Sequence, residues 1–388
     1  MNRKWWALWI CFFMVGTLFA GSARFAGMAD VGLGILDDEL DPMRLPGLWC
    51  RYASFVELES DFEVWRGFLN IGNEDRTWAL GVAVLGKEDI TSLVFYPDFI
   101  EVPSLYLALG GGFVHTKGSS WGGVFYSGVK HHLDSLDVSL EEMEESWVFG
   151  GRLGGRVVWD EGNLNWALKV ENAGYEWQSS GDVAMNFFKP SDWNYGGSLR
   201  LEYITPFDLV VVPSVNGNWS EGSYSWVMLI GDRDTVDVGV SGRGIDGKVG
   251  GIYRPYEGAG VVFEVGGFWS DTTVDSVNVV RTSSVYGGDV GFGVEFVVAS
   301  FMELRIGCKG IFGVESDEYV VEDVYRTSSV SDFQWITPGF GVSFYVGDFS
   351  FDLAINPDWI SAFAPYSDSH NSATLLSEIG IRAIFRGF

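Results

Sequence analysis

Beyond residue 20 the 388-residue sequence has no stretch of eighteen uninterrupted apolar residues. A membrane-spanning helix needs about 20, so none is expected there. Proline is scarce, at 11 residues, and cysteine scarcer, at Cys11, Cys50 and Cys308. So few cysteines exclude a disulfide-stapled scaffold and a cysteine-rich zinc knuckle. A Cys50–Cys308 bridge is conceivable, but nothing in the sequence supports one. Positive charge is the third deficit: 25 Lys and Arg stand against 52 Asp and Glu, a formal net charge of −27. Nucleic-acid binding wants a basic footprint, so that class is set aside. There is also no Gly-x-Ser-x-Gly elbow, no phosphate loop and no His-Glu-x-x-His. No enzyme, no cofactor and no metal centre is expected. His131 and His132 with Asp134 and Asp137 read as a solvated loop, because adjacent residues rarely point at one ion.

What the chain has in abundance is aromatic and apolar surface. Aromatics make up 16% of residues and apolar residues 47%, with 51 Gly and only 20% charged residues. A soluble protein would need a very large core to hide them, whereas a barrel in lipid turns them outward. The acidic excess reads as a solvated rim of loops, with cation-holding loops at the cell surface as the sharper alternative.

The first twenty residues have the layout of an export signal. Arg3 and Lys4 form a basic start, Trp5 to Leu18 an apolar run of fourteen, and Ala20, Gly21, Ser22 and Ala23 a small-residue cleavage region. Cleavage is expected after Ala20, with Ala23 as the alternative. Losing Arg3 and Lys4 takes the formal charge from −27 to −29.

The remainder alternates as strands do, with successive side chains on opposite faces. Trp147, Phe149, Leu153, Val157 and Trp159 share one face, against Gly150, Arg152, Gly154 and Arg156 on the other. The pattern returns in Leu164, Trp166, Leu168 and Val170, in Tyr195 to Tyr203, in Val290 to Val298, in Met302 to Cys308 and in Phe340 to Val346. The strands are expected to run ten to fourteen residues, beyond the five or six of a typical globular strand and in keeping with membrane strands of about nine to eleven. The expected fold is therefore all-β, a transmembrane antiparallel barrel of fourteen strands, with sixteen as the alternative. Asp160 to Gly162 and Gly347-Asp348 are expected as short turns. Lys130 to Glu145, Asn172 to Asp192 and Asn356 to Ser372 are expected as long external loops. Arg152, Arg156, Lys169, Arg200, Glu202, Glu295, Glu303, Arg305, Lys309 and Arg382 are expected to face the lumen. They read either as a salt-bridged filling or as a polar lining that steers a ligand.

Residues 23–48 carry a resemblance. Ala23, Arg24, Gly27, Met28, Asp37 and Asp38, followed by Pro46, Gly47 and Leu48, are similar to the N-terminal plug of outer-membrane barrels of the long-chain fatty-acid transporter type, the FadL-like superfamily that also contains PorV-like shuttle barrels. The family's turn carries Asn where this chain has Leu45, and one residue after the proline is missing here. The resemblance implies a signal peptide at 1–20, a plug at 21–49 and a barrel at 50–388, in a Gram-negative-type outer membrane. Inside such a barrel, Asp37 and Asp38 are expected to pair with a lumen Arg or Lys. The residues themselves leave a loose N-terminal arm as the alternative to a plug. The resemblance also implies passive uptake of hydrophobic small molecules, or a non-transporting binding or assembly platform, or a structural role. Expected partners are outer-membrane lipid, the barrel assembly machinery that would read the C-terminal strand ending in Phe388, and a hydrophobic small molecule. In that family a kinked early strand opens a lateral exit, and the resemblance implies a gate near Pro97, Pro103 and Gly110 to Gly112; the residues themselves, with proline marking an edge or a bulge, read there first as a loop between two regular strands.

Overall fold

The computed structural model describes residues 41–52, 54–60, 65–86, 103, 105–116, 118–137, 140–179, 185–228, 234–256, 258–276, 279–321, 325–355 and 379–386. Residues 1–40, where the export signal and most of the plug motif are expected, lie outside them, as do 356–378, Gly387 and Phe388.

Alternation produces sixteen strands rather than fourteen. They are β1 (Phe55–Ser60), β2 (Trp65–Gly72), β3 (Trp78–Gly86), β4 (Leu105–Thr116), β5 (Ser119–Asp137), β6 (Leu140–Trp159), β7 (Gly162–Ser179) and β8 (Met185–Ile204). Then follow β9 (Leu209–Met228), β10 (Asp234–Tyr256), β11 (Ala259–Ser276), β12 (Val279–Ala299), β13 (Met302–Val321), β14 (Tyr325–Val346), β15 (Phe349–Ile355) and β16 (Ile379–Phe385). Each pairs antiparallel with its sequence neighbour, and β16 closes on β1 through Val56↔Phe385 to Ser60↔Ile381. Closure leaves no open sheet edge.

The hairpins at one end are short. Trp159↔Gly162 encloses a two-residue turn, and Gly118, Gly258 and Gly347 take positive φ of 80°, 90° and 62° where such turns demand it. Pro190 and Pro255, which cannot donate to a ladder, fall where the register shifts.

The outer surface is the reverse of a soluble protein's. Leu153, Leu168, Leu199, Val215, Val249, Val265, Phe292 and Ile306 are all exposed, a continuous apolar band far beyond the patches a soluble monomer tolerates. Aromatics rim it, with Trp159, Tyr203, Tyr253 and Phe301 toward the short turns and Tyr195, Trp219, Trp269 and Tyr286 on the far side. Tyr195 to Tyr203 covers nine residues, the length that about 30 Å of hydrocarbon requires of a tilted strand.

Strand length departs from expectation. β5 to β14 run 18 to 23 residues, so ten or so continue past the far rim. The backbone of Lys130 to Asp137, Leu140 to Glu145, Asn172 to Ser179 and Met185 to Asp192 is strand, not the loops expected there. The ladder continues there although the regular apolar alternation of the sequence stops. His131 and His132 thus belong to β5, opposite Glu145 and Glu144. Asn356 to Ser372 lies outside the described residues. Among the described residues the shortest strands are β1 with six residues, β15 and β16 with seven each and β2 with eight.

The two described cysteines are unbridged: Cys50 is buried inside and Cys308 exposed on the apolar band. Burial pushes the Cys50 thiol up to about 11, against a smaller opposing effect of its hydrogen bond with the Ala79 backbone. The thiolate is the reactive form. In the folded protein a lipid-soluble maleimide at pH 8 should therefore modify Cys308 and leave Cys50 untouched until denaturant is added. Equal labelling of both, read by peptide mass, would contradict this arrangement.

Candidate functional site

Residues 41–52 leave the sheet and enter the barrel near the short-turn end. Asp41–Arg44 make one helical turn (α1), closed by Leu45 N–H donating to the Asp41 carbonyl at 2.6 Å, and Pro46–Arg51 form a 3-10 turn. Proline early in that turn loses no hydrogen bond, because the first N–H groups of a helix have no partner inside it. Leu48 and Trp49 are wholly buried.

The inner wall is shaped for them. Replaced by alanine, Gly81 would place its β-carbon against the Trp49 ring, 2.8 Å from Cη2, and Gly110 would strike the same ring. Gly112 would come within 2.9 Å of Trp49 Cβ, Gly154 within 3.0 Å of Pro46 Cδ, and Gly122 would collide with the Pro46 carbonyl oxygen. Gly47 in turn lies against the Gly155–Arg156 backbone. Five glycines on β3 to β6 thus form a floor, edged by Ala79, Ala83 and Ala108, on which Pro46 to Trp49 rest. Phe68 meets Trp49 edge-on at 5.5 Å and Phe55 meets Phe68 at 5.1 Å, joining the segment to β1 and β2. Burying side chains of this size is worth roughly 1.5–3 kcal/mol each.

Polar contacts fix the register. Ser120 Oγ donates to the Gly47 carbonyl, Arg152 Nη1 to that of Met43 at 3.0 Å, and Arg76 Nη1 to that of Arg51 at 3.0 Å. Arg200, nearly buried, reaches Asp41 at 3.1 Å and Glu202 at 3.2 Å, while Glu202 also meets Arg51 at 3.5 Å and accepts from Asn163 at 2.9 Å. Such a buried pair is costly to break, about 3–5 kcal/mol when one partner is lost.

The rest of the described lumen is tied by further buried ion pairs. Lys169 meets Glu171 at 3.2 Å, and Glu171 accepts from Tyr126 at 2.8 Å. Lys309 bridges Glu264 at 3.1 Å and Asp289 at 3.3 Å. Arg305 reaches Glu295 at 3.3 Å, Glu303 at 2.9 Å and Asp352 at 3.3 Å, with Ser343 also donating to Asp352. Arg382 holds Glu57 at 2.7 Å across the closing seam.

Nine of the ten expected lumen residues therefore appear in ion pairs or hydrogen bonds of the inner face, and Arg156 lies beside Gly47. Of the expected plug motif, Pro46, Gly47 and Leu48 lie in the inner segment, and Arg24, Gly27, Met28, Asp37 and Asp38 lie outside the described residues. Among the described residues it is Asp41 that serves as the acidic partner of a lumen arginine, Arg200. The expected gate at Gly110 to Gly112 is corrected, because β4 is paired there without a break to both β3 and β5. Those glycines seat Trp49 rather than loosen a strand. Pro97 lies outside the described residues, and Pro103 is buried. Trp49 and its floor escape a reading of the sequence, since glycines on four separate strands converge only once the register is known.

No family model matches the chain, and no curated protein does. The chain is similar in fold to several solved structures. The Pseudomonas putida toluene transporter TodX shares 10% identity over 95% of this chain and 96% of its own, with a TM-score of 0.45. A Pseudomonas aeruginosa FadL homologue shares 8% over 96% and 100%, with a TM-score of 0.47. The CymD monoaromatic hydrocarbon channel shares 9% over 93% and 96%, with a TM-score of 0.42.

Between the inner segment and β6 to β10 lies a cavity of about 280 Å³, bounded by Asp41, Arg44 and Leu45 on one side and by Arg152, Lys169, Asn216, Asn218 and Lys248 on the other.

Proposed function

We propose that the chain is an outer-membrane barrel admitting small hydrophobic molecules passively, with residues 21–49 as its plug. The apolar, aromatic-rimmed exterior supports insertion in lipid, and the export signal supports passage to the outer membrane. The observation that carries the uptake reading is the trough under Trp49. Once Pro46 to Trp49 lift away, the surface left behind includes the apolar Ala79, Gly81, Ala83, Ala108, Gly110, Gly112 and Val124, with Ser120 and the Gly155–Arg156 backbone at its Pro46–Gly47 end. Plug and cargo compete for one surface. That groove lies on β3 to β5, next to β2.

The test is uptake of a radiolabelled monoaromatic hydrocarbon by cells that express the full chain, its Trp49→Ala variant, or neither. Expression should raise the initial uptake rate, and Trp49→Ala should raise it severalfold further by clearing the groove. Rates equal to those of cells lacking the barrel would end the transport reading.

A second reading, a binding or assembly platform of the PorV-like kind, is favoured by one observation. The half of the lumen along β10 to β16 is closed by ion pairs, which suit a static wall more than a moving cargo. Inactivity in the uptake assay, together with a partner protein recovered on purification, would favour it.

A further inference from the structure

The cavity beside the inner segment differs in kind from the groove under Trp49. Five basic side chains line it, Arg44, Arg152, Lys169, Arg200 and Lys248, against two acidic ones, Asp41 and Asp246. The excess is notable in a chain whose formal net charge is −27. Most of the carboxylates that balance these cations stand behind the lining: Glu171 holds Lys169 at 3.2 Å, Glu202 holds Arg200 at 3.2 Å, where the lining Asp41 also pairs with Arg200, and Asp289 holds Lys248 at 3.5 Å. Glu171, Glu202 and Asp289 do not line the cavity. The acids anchor the basic side chains while the open space meets their N–H donors. The remaining polar lining consists of Ser198, Ser214, Asn216 and Asn218, which can donate as well as accept.

Arg44 is the most informative member. It is half-buried at the end of α1, and it has no ion pair among the described residues. A guanidinium offers five donors in a planar fork that matches a carboxylate or a phosphate. In a site partly screened from water its attraction for an anion is several times what it would be at the surface.

We propose that this cavity binds a small hydrophilic oxyanion, a carboxylate or phosphate group on a compact molecule, between Arg44 on the inner segment and Lys248 on the wall. The volume, just under the roughly 300 Å³ at which pockets for drug-sized ligands begin, limits the ligand to a compact one. Because Arg44 belongs to the inner segment and Lys248 to β10, a bound anion bridges plug and wall and holds the plug in place. Anion binding is independent of hydrocarbon uptake: a barrel that fails the uptake assay can still bind the anion, and the reverse.

Titration calorimetry on the full-length protein folded in detergent at low salt tests it, with succinate, inorganic phosphate and uncharged succinamide as probes. Saturable binding of succinate, phosphate or both is expected, and none of succinamide; the two anions decide between carboxylate and phosphate. Arg44→Gln, which removes no ion pair among the described residues, should weaken binding at least tenfold, and so should Lys248→Gln. Arg243→Gln, which deletes the same charge on the exposed Arg243 side chain, should leave binding unchanged. A second readout is the urea concentration at which Cys50 becomes alkylated, which a saturating anion should raise. Absence of saturable anion binding, equal binding of succinamide, or binding that Arg44→Gln leaves intact would each overturn the proposal.

Discussion

Gly122→Ala is expected to drive residues 41–52 off the wall. The added methyl would collide with the Pro46 carbonyl oxygen and stand 2.8 Å from the Pro46 carbonyl carbon and 2.9 Å from the Gly111 carbonyl oxygen. All three neighbours are backbone, so no side chain can rotate aside. β5 is held on both edges by ladders to β4 and β6, so the strand cannot retreat either. Overpacking of this kind costs about 1–3 kcal/mol. If the segment escapes instead, it forfeits the burial of Leu48 and Trp49, roughly 1.5–3 kcal/mol apiece. The expected loss is therefore about 3 kcal/mol in urea unfolding of the detergent-folded protein. The more telling readout is Cys50, whose thiol leaves its buried site and becomes alkylated at pH 8, whereas the parent protein stays protected. Gly239→Ala, whose β-carbon would lie 3.9 Å from its nearest neighbour, serves as control and should behave as the parent does. A protected Cys50 and an unchanged midpoint in Gly122→Ala would show that the segment is not seated on the glycine floor.

Arg382→Met should open the seam that closes the barrel. Arg382 on β16 is 1% exposed and its Nε donates to Glu57 on β1 at 2.7 Å, linking the first and last strands of the chain. Methionine approximates the volume but leaves the Glu57 carboxylate, itself 2% exposed, without its guanidinium. Losing one partner of a buried pair costs about 3–5 kcal/mol, whereas replacing both by apolar residues is often nearly neutral. The double variant Glu57→Leu/Arg382→Met should therefore recover at least half of the loss. Urea unfolding and the gel-mobility shift of folded barrels measure both. A single variant as stable as the parent, or a double variant no better than the single, would refute this account of the seam.

The faces of the strands were legible in the sequence because a period of two needs no knowledge of neighbours. Leu153 and Val157 point out and Arg152 points in whichever strands flank β6, so the lumen set could be written from parity alone. Strand number and length were not legible in the same way. Apolar alternation marks only the part of a strand that meets lipid, and β5 to β14 continue well past it, where the regular alternation of the sequence stops. The short β1, β2, β15 and β16, with six to eight residues each, carry too few alternations to stand out, which is why fourteen became sixteen.

The inner segment shows the same division. Pro46-Gly47-Leu48 carried only a resemblance to a plug in the sequence, and all three are buried in the inner segment. Where it rests depends on Gly81, Gly110, Gly112, Gly122 and Gly154, which sit on four strands and up to 73 positions apart. A glycine in a strand reads as a weak point until the register brings five of them to one spot, where their missing side chains become the space that Trp49 occupies. Ion pairing obeys the same rule: Asp41 and Arg200 are separated by 159 residues, and no pattern in the chain joins them before the barrel closes.

By itself, then, the sequence determined the alternating two-faced sheet, its apolar exterior and its charged interior, since those follow from side-chain parity and solvent. Only the tertiary structure decided the strand count, the glycine floor that seats Trp49, the Arg200 latch and the basic cavity beside Arg44. Each of those requires residues from different strands at one height, and relative height is a property of register around a closed barrel.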